Sequence, residues 1–401
     1  MTDVIKKKKL MIMGAGIYQV PLIKKAKSMG LETLVVSIPG NYPGILLADE
    51  FIPLNTRDKE GVLARAKEEK ISGICTSGTD VAVQTIGYVN DHLGLSGIGY
   101  DASVKVTDKL WMKEAFLRGG VSTAKFEKVT SREEALATAR RIGYPVIVKV
   151  TDSSGSRGIK KASDEETLIA AYEDAVKITG KEYVLIEAFI DAEEIGVDAF
   201  VGERGLEVFL PHEKFTYSAN NVTVPMGHKF PYKKSPVLMA ELEKQILLAA
   251  KAVGLKNCPL NADVFVKGDK VWIIEIGGRT GATCIPELIS LYKECDWYEK
   301  IIRASLGETV TFSETAEHPC MAKLLFSPIN GKIVNIDLKK IEDLRKKGVQ
   351  VQVDYKEGDR IEAMKNATDR IGHVIAAVDR EEELNEYVQQ LWDAIEVEEE
   401  F

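Results

Sequence analysis

The 401-residue sequence predicts a multidomain chain of α/β and α+β type, opened by a Rossmann-like domain and closed by a small α/β domain. Three observations predict it. Apolar runs alternate with helical patterns over the first hundred residues, a helix, strand-and-loop, helix, strand series follows Lys109, and a further set of strands and a helix begins near His318. Length and composition agree, because 45% hydrophobic and 28% charged residues allow a large core and a chain of this length divides into two to four domains.

The elements follow in order. "KLMIMGAG", "YQVPLIKKAKSMG", "LETLVVS", a Pro/Gly loop, the short helix "EGVLARAKEEK" and the run "ISGICTS" make a parallel α/β unit. Gly14 and Gly16 form a GxG, yet Gln19 stands where a third glycine would, and Ser37 ends the second strand in place of an acid for a ribose. A tight strand-to-helix turn is expected there, not a dinucleotide site. "DKLWMKEAFLRGGV" reads as a helix ended by Gly119 and Gly120, and "TSREEALATARRIGYP" as a second with Ser131 as N-cap. The strand and loop "VIVKVTDSSGSRGI" come next, then the helix "SDEETLIAAYEDAVKITG" and the strand "EYVLIEAFI". Downstream, "SPVLMAELEKQILLAAKAVG" is a long helix with Leu238, Leu242, Ile246 and Ala250 on its apolar face, and "NADVFVKGDKVWIIEIGG" is a hairpin around Gly268 and Asp269. The tail has strands at "CMAKLLFSP" and "VQVQVDY". Its final helix carries Leu384, Val388, Leu391 and Ile395, with Asp379 and Glu382 at capping-box spacing and the acidic last residues frayed.

Charge and residue usage exclude several function classes. A net charge of −8 argues against nucleic acid or an acidic membrane as the main partner, since both are bound through positive fields. No apolar stretch approaches the roughly 20 residues of a membrane span. The five cysteines show no CxxC and the five histidines no ligand spacing, so a reducing cytoplasm and no structural zinc are expected.

Candidate chemistry starts with two acids in apolar company, Asp263 in "LNADVFV" and Glu275 in "VWIIEIGG". Unpaired carboxylates there are costly, so a cation is expected between them. A three-residue turn, Gly268 to Lys270, sets them opposite each other at Cβ separations of about 4.5–5.5 Å, whereas a two-residue turn puts them on opposite faces. One or two Mg²⁺ suit the gap. Arg279 lies among glycines in "EIGGRTGAT", placed to grip a carboxylate or acyl phosphate with its planar fork. Lys149 interrupts an apolar strand and asks for an anion, and Ser153, Ser154, Gly155 and Ser156 offer backbone N–H groups to phosphate. Glu187 ends a strand, the backbone of Ala188, Phe189 and Ile190 suits a base, and Glu194 suits ribose hydroxyls. His228, in the polar segment "NNVTVPMGHKFP", is expected on a loop reaching a substrate carboxylate.

The order of these pieces is specific, and over roughly residues 1 to 315 the chain resembles the ATP-grasp superfamily, in which two α+β lobes close on ATP. The resemblance implies that Lys109 and Lys149 bind nucleotide phosphates, that the Gly/Ser loop is a mobile lid, and that Asp263 and Glu275 hold magnesium, with manganese as an alternative. It also implies a pre-ATP-grasp domain over 1–100 and an ATP-grasp domain over 101–315, with a lid lobe at about 122–190 and a large lobe at about 191–315; a C-terminal domain spans 316–401. Within the superfamily, "EIGGRTGAT", the "GH" of "VTVPMGHKFP" and a tail with "GKIVNID", "EGDRI" and "RIGHVIAA" look most like the L-amino acid ligases. Two positions depart: Gly277 stands where the family often has Asn, and Pro225 where several members have Glu. The expected activity is an ATP-dependent carboxylate-amine ligation giving an amide through an acyl phosphate, with two small molecules, a carboxylate and an amine, as partners. A homodimer is compatible with the sequence. The competing readings are a bicarbonate-activating or purine-pathway ligase, an NAD-dependent oxidoreductase and a non-catalytic nucleotide-binding protein.

Overall fold

Leu10 to Met13 and Leu34 to Val36 have no accessible surface, so the first two strands are covered on both faces, as parallel strands under helices must be. The computed structural model describes residues 7–152, 158–219, 222–313, 316–364 and 369–399, with backbone alone between 217 and 224. These fall into two compact units. The first comprises residues 1–209, 233–281 and 298–311, and the second 210–232, 282–297 and 312–401.

The first unit opens with four parallel strands, β1 (Lys9–Met13), β2 (Glu32–Ser37), β3 (Glu50–Pro53) and β4 (Gly73–Cys75), in the order β3-β2-β1-β4. Helices α1 (Val20–Ser28), α2 (Lys59–Glu69), α3 (Val83–Leu93) and α4 (Tyr100–Thr107) accompany them; the strand at β3 and the last two helices carried no signal in the sequence reading. The GxG is a tight turn, with Gly14 at φ +100°. Gln19 fastens it: its Oε1 accepts from the Gly16 N–H at 2.9 Å and its Nε2 donates to the Ser77 carbonyl at 2.5 Å. The residue that replaces the third glycine thus ties the turn to the loop after β4.

Helix α5 (Lys109–Arg118) starts on Asp108, whose carboxylate accepts from the Leu110 and Trp111 N–H groups. An antiparallel sheet follows, built from β5 (Phe126–Val129), β6 (Val146–Lys149), β7 (Ile159–Ala162) and β8 (Val184–Ala188) in the order β5-β8-β6-β7. Helices α6 (Arg132–Ile142), capped by Ser131 as expected, and α7 (Glu165–Ile178), capped by Asp164, bury Ala139, Leu168 and Ala171 against Val146, Val148 and Ile186. After β9 (Glu193–Val201) the chain runs through β10 (Leu206–Ala219) and β11 (Val222–Phe230). It returns as the long helix α8 (Pro236–Val253) and the hairpin β12 (Cys258–Lys267) and β13 (Lys270–Gly277). In this unit β12 lies between β13 and β9.

The hairpin corrects the parity argument. Lys267 pairs with Lys270, so the turn has two residues, which by itself would separate the acids. A β-bulge restores them: Val264 pairs with Ile273 but Asp263 with Glu275, leaving Ile274 as the extra residue.

In the second unit β10, β11, β14 (Cys320–Phe326), β16 (Gln350–Val353) and β18 (Arg370–Ala376) form antiparallel pairs in the order β10-β11-β14-β18-β16. A smaller set, β15 (Gly331–Ile336), β17 (Arg360–Ile361) and β19 (Ile395–Glu399), runs in the order β17-β15-β19. Helix α9 (Ile285–Tyr292) precedes α10 (Trp297–Ser305), which leads back to the first unit, and α11 (Leu338–Lys346) and α12 (Glu381–Trp392) complete the set. Met321, Ile333, Leu344, Ile371, Leu384 and Leu391 share one core. Two expectations fail here. The last helix stops at Trp392, and Ile395 begins β19, which pairs with β15 at Ile336, so the acidic stretch up to Glu399 is a sheet edge and not frayed; residues 400 and 401 lie outside the described residues. The N-cap is Arg380, without a side-chain cap bond, and the Asp379/Glu382 capping box does not form. Among the described residues no helix is long and apolar enough to cross a membrane.

Candidate active site

Strand alternation places the polar residues of β9, β12 and β13 on one face of the sheet. Cross-strand partners share a face, so the rung Gly196–Asp263–Glu275 lies beside the rung Asp198–Asn261–Gly277, with Glu194 one step further along β9. This face meets a cleft of about 450 Å³ in the first unit, lined by Asp80, Lys109, Asn261, Asp263, Glu275 and Arg279 among others. The N-terminal sheet contributes Asp80, from the segment between β4 and α3, where open parallel sheets place ligands beyond their carboxyl ends.

Arg279 is held on three sides. Its Nε and Nη2 donate to Asp80 Oδ1 and Oδ2 at 2.8 and 2.7 Å, and its Nη1 donates to Asn261 Oδ1 at 2.9 Å and to the Thr280 carbonyl at 3.2 Å. Asn261 is in turn fixed by its Nδ2 donating to Asp198 Oδ2 at 2.9 Å, and Asp198 Oδ1 accepts from the Gly281 N–H at 3.1 Å. A Cβ on residue 277 would stand 3.2 Å from Asp80 Oδ1 and 3.5 Å from Arg279 Cζ. Gly277 therefore makes room for the fork, a physical reason for the departure noted in the sequence.

Two lysines rise from one face of α5, four residues apart. Lys109 Nζ stands 3.3 Å from Glu275 Oε2. Burial is the largest influence on this ammonium and pulls its pKa down, but Glu275, with Asp80 and Glu187 further off, carries it above the ordinary lysine value. Lys113 is buried and stands 3.3 Å from Glu187 Oε1, while Lys149 of β6 stands 2.7 Å from Glu187 Oε2. Glu187 is thus a buried residue within β8, set between two ammonium groups.

The other expected nucleotide contacts spread along the same unit. The Ala188 and Phe189 N–H groups donate to the Lys125 and Pro145 carbonyls, so a base at this link is left to other groups there, and Lys161 Nζ lies 3.8 Å from the Phe189 ring centroid. Ile190 and Glu194 are half-buried. Ser153, Ser154, Gly155 and Ser156 lie outside the described residues; Val150 N–H donates to the Gly158 carbonyl across them.

His228 departs most from expectation. It lies in β11, not in a loop, buried in the second unit with its ring edge-on to His212 at 4.7 Å. Burial, then His212 and Lys214, hold its pKa well below the usual histidine value, so it is neutral. Pro225 sits at a bulge of the same strand, opposite Thr216.

The metal expectation fits the donors present. Two hard carboxylates face each other on one rung, and among the described residues no three His, Cys, Asp or Glu side chains gather into an all-protein cage. That is the pattern of a magnesium ion bound through one or two carboxylates and completed by phosphate oxygens. Sequence reasoning missed Asp80, Lys113, Asn261 and Asp198. The four-residue step from Lys109 and the two-residue step from Asp263 were available for Lys113 and Asn261; Asp80 comes from the segment after β4 and Asp198 from β9, whose places beside the hairpin a single sequence does not give.

Residues 142–287 match the ATP-grasp domain. The chain carries an ATP-grasp domain over that stretch. Further along, residues 323–400 match the L-amino acid ligase C-terminal domain 2. A D-alanine–D-alanine ligase of Ectopseudomonas mendocina (strain ymp) is 30% identical over 191 residues, a stretch covering 47% of this chain and 60% of that protein. The crystal structure of phosphoribosylglycinamide synthetase from Anaerococcus prevotii superposes with a TM-score of 0.82 at 26% identity, covering 98% of this chain and 100% of that one. That of L-amino acid ligase from Bacillus licheniformis gives 0.80 at 17% identity, covering 99% and 100%, a likeness of fold.

Proposed function

We propose that this protein joins two amino acids, or an amino acid and another amine, in an ATP-dependent ligation through an acyl phosphate. The observation that carries the reading is the rung of Asp263 and Glu275 in one cleft with Lys109 and a three-sided Arg279. The match of the tail to an L-amino acid ligase domain supports amino acids as the substrate class.

In the proposed reaction a carboxylate oxygen of the first substrate attacks the γ-phosphorus of ATP, and the bond to the ADP oxygen breaks. The amine lone pair then adds to the acyl carbon, the carbon–oxygen bond to phosphate breaks, and the nitrogen gives up a proton. Lys109 and Lys149 hold phosphate oxygens as point charges. Asp263 and Glu275 would hold magnesium, which when bound supplies neutralisation of the charge that moves during phosphoryl transfer. Arg279 stabilises the acyl phosphate and the oxyanion, with Asp80 and Asn261 fixing its plane; such donors are worth about 3–4 kcal/mol each elsewhere. His228, a buried strand residue, has no part in the proposal.

Phosphate release from Mg-ATP, screened over pairs of amino acids with mass spectrometry of the product, tests it. The expected result is release that requires two amino acids and yields a product of their summed mass less water. Turnover with bicarbonate or a ribonucleotide and none with amino acids overturns the substrate class, a reading that the likeness to phosphoribosylglycinamide synthetase keeps in view. No ATP turnover with any of them overturns the ligase reading itself.

A further inference from the structure

Lys113 is a buried cation beside the site that the proposed reaction does not use. Its ammonium donates to Thr123 Oγ1 at 2.9 Å, stands 3.3 Å from Glu187 Oε1 and lies 5.3 Å from the Phe126 ring centroid. Thr123 is itself anchored, its Oγ1 donating to the Ile273 carbonyl at 2.8 Å. Lys113 therefore brackets α5, β13 and the sheet of β5 to β8 at one point. On the other side of Glu187, Lys149 Nζ approaches Oε2 at 2.7 Å. All three residues are nearly inaccessible, at 2%, 4% and 6% for Lys113, Glu187 and Lys149.

Two ammonium groups on one carboxylate leave a net positive charge in a buried place. Such a charge is unfavourable on its own and is relieved by an anion. Lys149 ends β6, next to the segment that leads into the Gly/Ser loop, so it is the member of the three placed to meet one. Were Lys113 absent, Glu187 would face Lys149 alone and cancel it.

We propose that Lys113 is a positioning residue for the nucleotide polyphosphate: by holding one oxygen of Glu187 it leaves the Lys149 ammonium under-neutralised and available to phosphate. This rests on the nucleotide-binding reading of the site. It also gives the site a pH response. Burial, only partly offset by Glu187 on β8 and Glu275 on β13 and reinforced by Lys149 on β6, lowers the Lys113 pKa to about 8. As the pH rises through that value Lys113 loses its proton, the net charge of the three groups falls from +1 to 0, and nucleotide binding weakens.

Calorimetric binding of Mg-ADP from roughly pH 7 to 9.5 tests the proposal without requiring the amide-forming substrates. Wild-type protein is expected to bind about tenfold more weakly above the Lys113 transition than below it. Lys113→Met should bind about tenfold more weakly already at the lower pH, with no alkaline step. Lys113→Arg, which keeps the charge at all these pH values, should bind as wild type does at the lower pH and lack the step. Circular dichroism and the thermal midpoint establish that each variant is folded; if Lys113→Met is not, the pH profile of Lys113→Arg decides. A wild-type affinity in Lys113→Met, or a wild-type step in Lys113→Arg, overturns the proposal while leaving nucleotide binding intact. Wild-type protein that binds no ADP at any pH overturns the nucleotide-binding reading and this proposal with it.

Discussion

Asp80→Asn is the perturbation with the most defined consequence. The wild-type carboxylate receives Nε and Nη2 of Arg279 at 2.8 and 2.7 Å in a two-pronged fork. An amide in its place keeps one acceptor but turns a donor toward a donor, and removes the charge. The exposure of the pair sets the magnitude: the Arg279 side chain is 16% accessible and that of Asp80 36%. Breaking a fully buried pair costs about 3–5 kcal/mol and an exposed one contributes about 0–1, so a loss of about 1–3 kcal/mol is expected here. Urea denaturation of Asp80→Asn, Arg279→Met and the double variant reads this as a coupling energy. A further variant carries a functional arm under the proposed reaction: Arg279→Lys should lower kcat by about 100- to 1,000-fold because an ammonium cannot reproduce the fork and the bond to Asn261 together. Additivity of the two single changes to within about 0.5 kcal/mol would show that the fork does not couple the residues, and the account of Gly277 and Asn261 built on it would fall too.

Three further outcomes are expected. Glu275→Gln and Asp263→Asn should each abolish magnesium-dependent ATP turnover with the fold intact, as amides are poor magnesium ligands; turnover at the wild-type rate in either would remove the metal assignment. Gly277→Asn should weaken the Asp80–Arg279 fork, since its Cβ meets Asp80 Oδ1 at 3.2 Å, and so lower stability by about 1 kcal/mol; an equal or higher urea midpoint contradicts this. His373, its pKa lowered to about 4 by burial and then by Arg370, binds fewer protons folded than unfolded, so its contribution is complete above about pH 6.5 and is lost as the pH falls toward 4. His373→Gln should therefore flatten the acid limb of the stability–pH curve, and an unchanged limb would assign it to other groups.

Much of the fold was legible because its signals are local. The run Leu10 to Met13 shows no alternation, the mark of a strand buried on both faces, and Ser131 offers a cap wherever the helix packs. The rest depended on tertiary facts. The Asp263–Glu275 rung was anticipated from the wrong turn length, because a bulge inside β13 leaves no mark in a run such as "VWIIEIGG". Ile395 continues the apolar spacing of α12, yet pairing with β15 claims it for a strand, and periodicity over so few residues does not decide between them. His228 reads as a loop residue because proline and glycine surround it, while β10 and β14 on either side hold that segment as a central strand. Asp80 had no signal of its own, since its partner lies 199 positions away.

The bulge at Ile274 uncouples the tip of the β12–β13 hairpin from its root. The compensating residue sits between the acids and the turn; from Val264 to Ile273 the pairing within the hairpin is regular, while Val264, Phe265 and Val266 also pair with β9 and Val271 and Ile273 bond to Ser122 and Thr123. Excision of the single residue Ile274 removes the bulge and sets Glu275 directly after Ile273, opposite Asp263 in a regular ladder, so the two acids keep their shared rung and lose only the local bend and twist that the bulge gives β13.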